Sequence, residues 1–250
     1  MKSKALLFGI NYINTPESRL RGCVNDVKNM SAYLTTVAKY DVVDSFTDED
    51  DYESVTARSI SRSMYNLAVQ SHRHRLERVW IHFSGHGTSI RDKNGDESDK
   101  KDECILPADY KKVGVITDDN IKRFLNMFHK DTRVVCIFDC CHSGTIGDLP
   151  YKYDHRSYSF ENTQNNCKAN VILISGCKDH QTSADAYNVN YKHSFSGAMT
   201  SCLLLALKNY NSPKLFDILD DLRSFLKTKK YLQIPQLTSN FIIDDAFELK

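Results

Sequence analysis

Short apolar runs recur along the chain, and each ends at Gly, Ser or Asp. Four of them, at residues 5–10, 79–83, 134–138 and 171–174, have the length of strands and little polar alternation. Such runs, rich in β-branched and aromatic residues, read as strands buried on both faces. Residues 41–46 predict a weaker fifth strand, and 241–243, after Pro235, an edge strand. Between the strands the period changes to that of a helix. Residues 24–37 bring Val24, Val27, Tyr33 and Leu34 near one face, and 55–67 group Ile60, Met64 and Leu67. A helix over 121–128 follows Thr117, a candidate N-cap with Asp118 and Asp119 in the first turn. Segments 196–207 and 214–226 are the last two helices. Strands alternating with helices predict an α/β fold, a mostly parallel central sheet sandwiched by helices. Two polar stretches interrupt the alternation. Residues 86–118 carry a dense acidic cluster, and 148–168, rich in Tyr and Asn, read as an exposed linker.

Composition narrows the function classes. The 250 residues suit one domain or two small ones, and a formal net charge of +1 gives no basic field for a nucleic acid. Eight cysteines appear without any Cys-x-x-Cys, and Cys136, Cys140 and Cys202 sit in or beside apolar runs. They read as small core residues of a protein in a reducing, cytoplasmic compartment rather than as a disulfide framework. The apolar N-terminal stretch is too short for a signal peptide, and no apolar segment approaches membrane-spanning length.

Candidate chemistry lies at the ends of two strands. In an open α/β sheet, ligands gather beyond the carboxyl ends of the strands. One run ends Phe83-Ser84-Gly85-His86-Gly87, the other Phe138-Asp139-Cys140-Cys141-His142-Ser143-Gly144. Parallel neighbours would bring an imidazole and a thiol to one edge. A thiolate is a strong nucleophile, and a nearby imidazole lowers its pKa and later protonates a leaving amine. The pattern does not choose between Cys140 and Cys141, whose side chains point to opposite sides. It does argue against two other chemistries. A phosphatase-type loop needs an Arg six residues on, where Ile146 and Gly147 stand. A zinc site from Cys140, Cys141 and His142 would lack a second ligand cluster.

These two motifs resemble the active-site motifs of metacaspases. Further matches are Leu20-Arg21-Gly22-Cys23-Val24-Asn25-Asp26-Val27, Asp102-Glu103-Cys104-Ile105-Leu106-Pro107-Ala108-Asp109 and Ile174-Ser175-Gly176-Cys177-Lys178-Asp179-His180-Gln181-Thr182-Ser183-Ala184-Asp185, in family order. The resemblance implies the caspase-hemoglobinase fold in a single peptidase domain over 1–250. That domain would divide into a p20-like part (1–149), a linker (150–168) and a p10-like part (169–250). It implies Cys141 as nucleophile, His86 as its base, and an oxyanion hole from the backbone N–H groups of Gly87 and Cys141. The sequence reads as a minimal catalytic core, with no Pro/Gln-rich or zinc-finger stretch before the first strand.

The resemblance also implies that Asp26 and Asp139, with Ser84 beside them, floor the pocket for the residue before the scissile bond. Two partly desolvated carboxylates favour a cation, and Arg most of all because its fork pairs bidentately. The expected activity is therefore endopeptidase cleavage of proteins or peptides after Arg or Lys. Asp102, Asp118, Asp119 and Asp148 match the family's calcium ligands, so Ca2+ is the expected cofactor. Residues 92–103 resemble an EF-hand loop only loosely, because Glu97 stands where that loop needs Gly. A monomer is expected, with self-cleavage after Lys152, Arg156 or Lys168. The competing expectations are a legumain-like or separase-like specificity, or an inactive caspase-like scaffold that binds partners.

Overall fold

The computed structural model describes residues 1–91, 101–140, 146–160, 166–176, 185–187 and 195–249. In chain order the N-terminal elements are β1 (Ser3–Gly9), α1 (Cys23–Thr36), β2 (Val42–Thr47), α2 (Ala57–His74), β3 (Arg78–Ser84) and β4 (Gly87–Arg91). There follow β5 (Lys101–Ile105), α3 (Tyr110–Val113), β6 (Ile116–Thr117), α4 (Asp118–Leu125) and β7 (Arg133–Asp139). The remainder is β8 (Tyr151–Asp154), β9 (Ser157–Phe160), β10 (Asn170–Ser175), β11 (Asp185–Tyr187), β12 (Phe195–Gly197), α5 (Ala198–Lys208), α6 (Leu215–Thr228) and β13 (Gln236–Ser239).

The apolar runs pair with one another. An eight-stranded sheet runs in the order β2-β1-β3-β7-β10-β13-β8-β9. Its first five strands are parallel, and the last three continue it antiparallel. This is the α/β sandwich that the alternation of periods predicts. Strand alternation divides the core between the two faces. Ala5, Leu7, Trp80, Val135 and Ile137 pack with residues of α1, α5 and α6. Leu6, Phe8, Ile81, Phe83, Cys136 and Phe138 pack on the other face with residues of α2 and α4. Cys136, Cys140 and Cys202 are fully buried, as expected of small core residues.

Two segments differ from the sequence expectation. At residues 151–160 of the expected linker the chain instead forms a hairpin: β8 and β9 extend the sheet, and Tyr153 is buried in the core. Arg156, in the turn, pairs with Asp217 and Asp245 and lies over the Phe216 ring. The polar composition of this segment thus reflects a hairpin with one wet side. The expected edge strand at 241–243 is also displaced. The strand is β13, it follows Pro235 directly, and it lies inside the sheet between β10 and β8. Pro has no N–H to donate, so pairing begins just after it. Residues 241–243 instead follow the strand, and the Ile243 N–H donates to Tyr153 Oη at 2.7 Å.

Helix α4 starts at Asp118, three residues earlier than its apolar period indicates. Thr117 Oγ1 accepts the Asn120 N–H, and Asn120 Oδ1 accepts the Thr117 N–H, a reciprocal capping box. Among the described residues no helix is long and apolar enough to cross a membrane.

Candidate active site

The parallel pairing of β3 with β7 puts Ser84 opposite Asp139, and β1 lies on the other side of β3. The chain leaves β1 for β2 on one side and returns to β3 on the other, so the carboxyl ends of β1 and β3 flank a crevice. His86 and Gly87 lie at this edge, where β3 passes into β4. Cys141, two residues beyond β7, falls outside the described residues, as do His142, Ser143 and Gly144. Cys140 is described. It is fully buried in the apolar cluster on the α2–α4 side, a place for an inert thiol.

His86 is held from three directions. Its Nε2 lies 2.7 Å from the Ser18 carbonyl oxygen. A carbonyl only accepts, so Nε2 carries a proton, and in the neutral ring the lone pair of a base is on Nδ1. Its backbone N–H donates to Tyr12 Oη at 2.8 Å, and that hydroxyl donates to the Leu106 carbonyl at 2.7 Å. The Tyr12 ring packs on the imidazole with centroids 4.7 Å apart. Tyr12 itself has φ of 55°, in the left-handed region. Buried Asp48 secures that turn by accepting the N–H groups of Asn11 and Ile13. Gly85 leaves room for the arrangement, since a Cβ there would come within 3.0 Å of Tyr12 Oη.

Asp26, Ser84 and Asp139 are brought together on the α1–α5 face, all three buried. Parity within β3 and β7 sends Ser84 and Asp139 to the side that holds Trp80 and Ile137. Ser84 Oγ donates to Asp26 Oδ2 at 2.7 Å. The Gly197 N–H donates to Asp26, and Thr200 donates to Asp139. Behind them lies His82, which burial pushes down to about 3, so the ring is neutral. Sequence reasoning missed Tyr12, Asp48, Gly197 and Thr200. Only Gly197, just before an apolar helix, carried a local signal.

The acidic cluster joins three elements. Asp102 lies on β5, Asp118 and Asp119 open α4, and Asp148 lies between β7 and β8. Asp118 accepts the N–H groups of Glu103 at 2.6 Å and Asp119 at 2.8 Å. Even so, its carboxyl is pushed up to about 7, first by burial and then by the charges of Asp148 and Asp102. Lys122, one turn along α4, sits 3.2 Å from Asp148 Oδ2. Among the described residues, no group of three or more His, Cys, Asp or Glu is already drawn together as a metal site. Residues 92–100 of the EF-hand-like loop fall outside the described residues, while Asp102 and Glu103 are buried in β5.

A metacaspase peptidase C14 family model matches residues 3–150. Metacaspase-3 of Trypanosoma brucei brucei is 36% identical over 96% of this chain and 72% of its own length. Metacaspase-1B of Neurospora crassa is 33% identical over 97% of this chain and 68% of its own. The chain belongs to the metacaspase family. This metacaspase is accordingly a caspase-like cysteine peptidase that acts on proteins. Its fold is that of solved caspase-like structures. A protein from Geobacter sulfurreducens superposes with a TM-score of 0.68 at 22% identity, covering 99% of this chain and 96% of the other. Caspase-1 of Spodoptera frugiperda gives 0.60 at 10% identity, with 95% and 86% covered.

Proposed function

We propose that this metacaspase is a calcium-dependent endopeptidase that cleaves after Arg or Lys through His86 and Cys141. The observation that carries the specificity is the meeting of two buried carboxylates, Asp26 and Asp139, at the carboxyl ends of β3 and β7 beside Ser84. A buried pair of like charges favours a cationic partner, whereas a pocket for Asp would need the opposite charge. The role of Cys141 is supported by the burial of Cys140 and by the proximity of β7 to the strand that delivers His86.

The chemistry follows from the tautomer at His86. Cys141 gives its proton to Nδ1, and the thiolate sulfur attacks the scissile carbonyl carbon. The carbonyl oxygen becomes an oxyanion, accepted by the backbone N–H groups of Gly87 and Cys141. The C–N bond breaks as the imidazolium protonates the leaving amine, leaving a thioester. Water then loses a proton to His86, attacks the thioester, and releases the carboxylic acid and the thiol.

Asp102, Asp118, Asp119 and Asp148 would hold Ca2+, which suits an all-oxygen donor set drawn from several segments. The raised Asp118 carboxyl supports this reading: burial pushes it up first, and the neighbouring charges of Asp148 and Asp102 add to that, so a bound cation would offset part of the cost of ionising it. When bound, the ion supplies positive charge that joins the segment after β4 to the segment after β7. We further propose a monomer in a reducing, cytoplasmic compartment, in keeping with buried thiols that burial keeps protonated, Cys104 and Cys202 at about 12. The deciding experiment assays Arg, Lys and Asp fluorogenic peptides with calcium or chelator, using wild type, Cys141→Ala and Cys140→Ala. Cleavage after Arg or Lys, lost in Cys141→Ala and retained in Cys140→Ala, is expected. Cleavage after Asp would overturn the pocket reading, and full activity in chelator the calcium reading.

A further inference from the structure

One end of α5 meets both pocket carboxylates. The Gly197 N–H lies 2.9 Å from each oxygen of Asp26. The Thr200 N–H lies 2.9 Å, and Thr200 Oγ1 2.8 Å, from Asp139 Oδ2. A Cβ at Gly197 would overlap Oδ2 of both Asp26 and Asp139, so the two carboxylates flank that α-carbon and a side chain cannot fit. The Thr200 hydroxyl has a defined direction. A carboxylate only accepts, so the hydroxyl hydrogen goes to Asp139. Its lone pair then faces His82 Nε2 at 3.2 Å, and neutral His82 donates from that nitrogen. The donors run in one sense, from His82 on β3 through Thr200 on α5 to Asp139 at the end of β7.

We infer that Thr200 is a specificity-positioning residue, which fixes the direction in which Asp139 presents its charge to the side chain before the scissile bond. The inference rests on the basic-substrate reading and deepens it. An Asp side chain turns readily about its last bond, and a guanidinium fork is matched only by a carboxylate in a set plane. Two donors on the same oxygen fix that plane. The base and nucleophile precede the hairpin in the chain, whereas Gly197 and Thr200 follow it. Specificity therefore depends on α5 docking against β3 and β7, while the acid–base chemistry does not.

The test compares wild type, Thr200→Val and Thr200→Ser on an Arg peptide with calcium, and measures inhibition by benzamidine, an amidinium that needs no turnover. Thr200→Val keeps the side-chain shape and the backbone donor but removes the hydroxyl. It should raise KM and the benzamidine inhibition constant together by about tenfold, with kcat within about threefold, the loss of one charge-assisted hydrogen bond. Thr200→Ser should restore both constants to within about twofold of wild type. Should Thr200→Val not fold, Thr200→Ala reads the same hydroxyl. Unchanged KM and inhibition constants in a folded variant would overturn the inference alone, as would Thr200→Ser failing as badly as Thr200→Val. A wild type that cleaves after neither Arg nor Lys would overturn the specificity reading, and this inference with it.

Discussion

At the scale of single residues, the site divides into groups that react and groups that hold them. Tyr12 belongs to the second kind. Its hydroxyl accepts from His86 N–H and donates to Leu106 O, tying the turn after β3 to the segment after β5. Burial pushes its phenol far above the ordinary value, so the hydroxyl stays a donor at any working pH. Tyr12→Phe leaves the ring on the imidazole but strands both partners. It should lower kcat about tenfold, because His86 loses the hydrogen bond that fixes its backbone, and leave KM for an Arg peptide nearly unchanged. Steady-state kinetics check this, and an equal rise in KM would mean that Tyr12 supports the pocket instead. The candidate base and nucleophile could be named from the sequence because His86 stands between two glycines just past one strand and Cys141 opens a Cys-His-Ser-Gly run just past another. Tyr12, Asp48 and Thr200 could not, because their partners lie 74, 37 and 61 residues away and no local pattern announces such pairs.

At the scale of elements, the buried parallel strands were legible because each is a short apolar run covered on both faces. The hairpin β8–β9 was not, because β9 is exposed at all four positions and its Tyr and Ser residues carry no apolar alternation. That hairpin changes the expectation for self-cleavage. Lys152 lies in β8, paired with both β13 and β9, and Arg156 is fixed by two carboxylates on α6 and the C-terminal segment. Lys168 is exposed and precedes β10 outside any strand. A peptidase needs an extended, accessible segment, and freeing the bond after Lys168 requires only that Asn240 release the Cys167 and Ala169 carbonyls, with no strand leaving the sheet, so a self-made cut should follow Lys168 in preference to the other two. N-terminal sequencing of protein aged with calcium should find a new end at Ala169. A first cut after Lys152 would require the hairpin to leave the sheet, and finding one would refute this order.

At the scale of the whole molecule, the burial of Asp118, and after it the charges of Asp148 and Asp102, make stability depend on pH. Asp118 is held protonated up to about 7 in the folded chain, against an ordinary value of 3.8. Between those values the folded state keeps a proton that the unfolded state has released. Stability must therefore fall as pH rises through that window and stay low above it, by on the order of 2–4 kcal/mol from this group. Lys122 offsets part of the repulsion through Asp148. Calcium would reverse the sign, because it binds the ionised form. In chelator, the melting temperature should be higher at pH 5 than at pH 8. Added calcium should raise it at pH 8 and have little effect at pH 5, where protons compete for the same oxygens. Asp118→Asn should flatten the chelator profile and weaken the calcium shift, whereas Lys122→Met should lower stability in chelator and enlarge the calcium shift. Scanning calorimetry at the two pH values reads all of this without turnover. A pH 8 melting temperature indifferent to calcium in wild type would refute the calcium site while leaving His86 and Cys141 untouched.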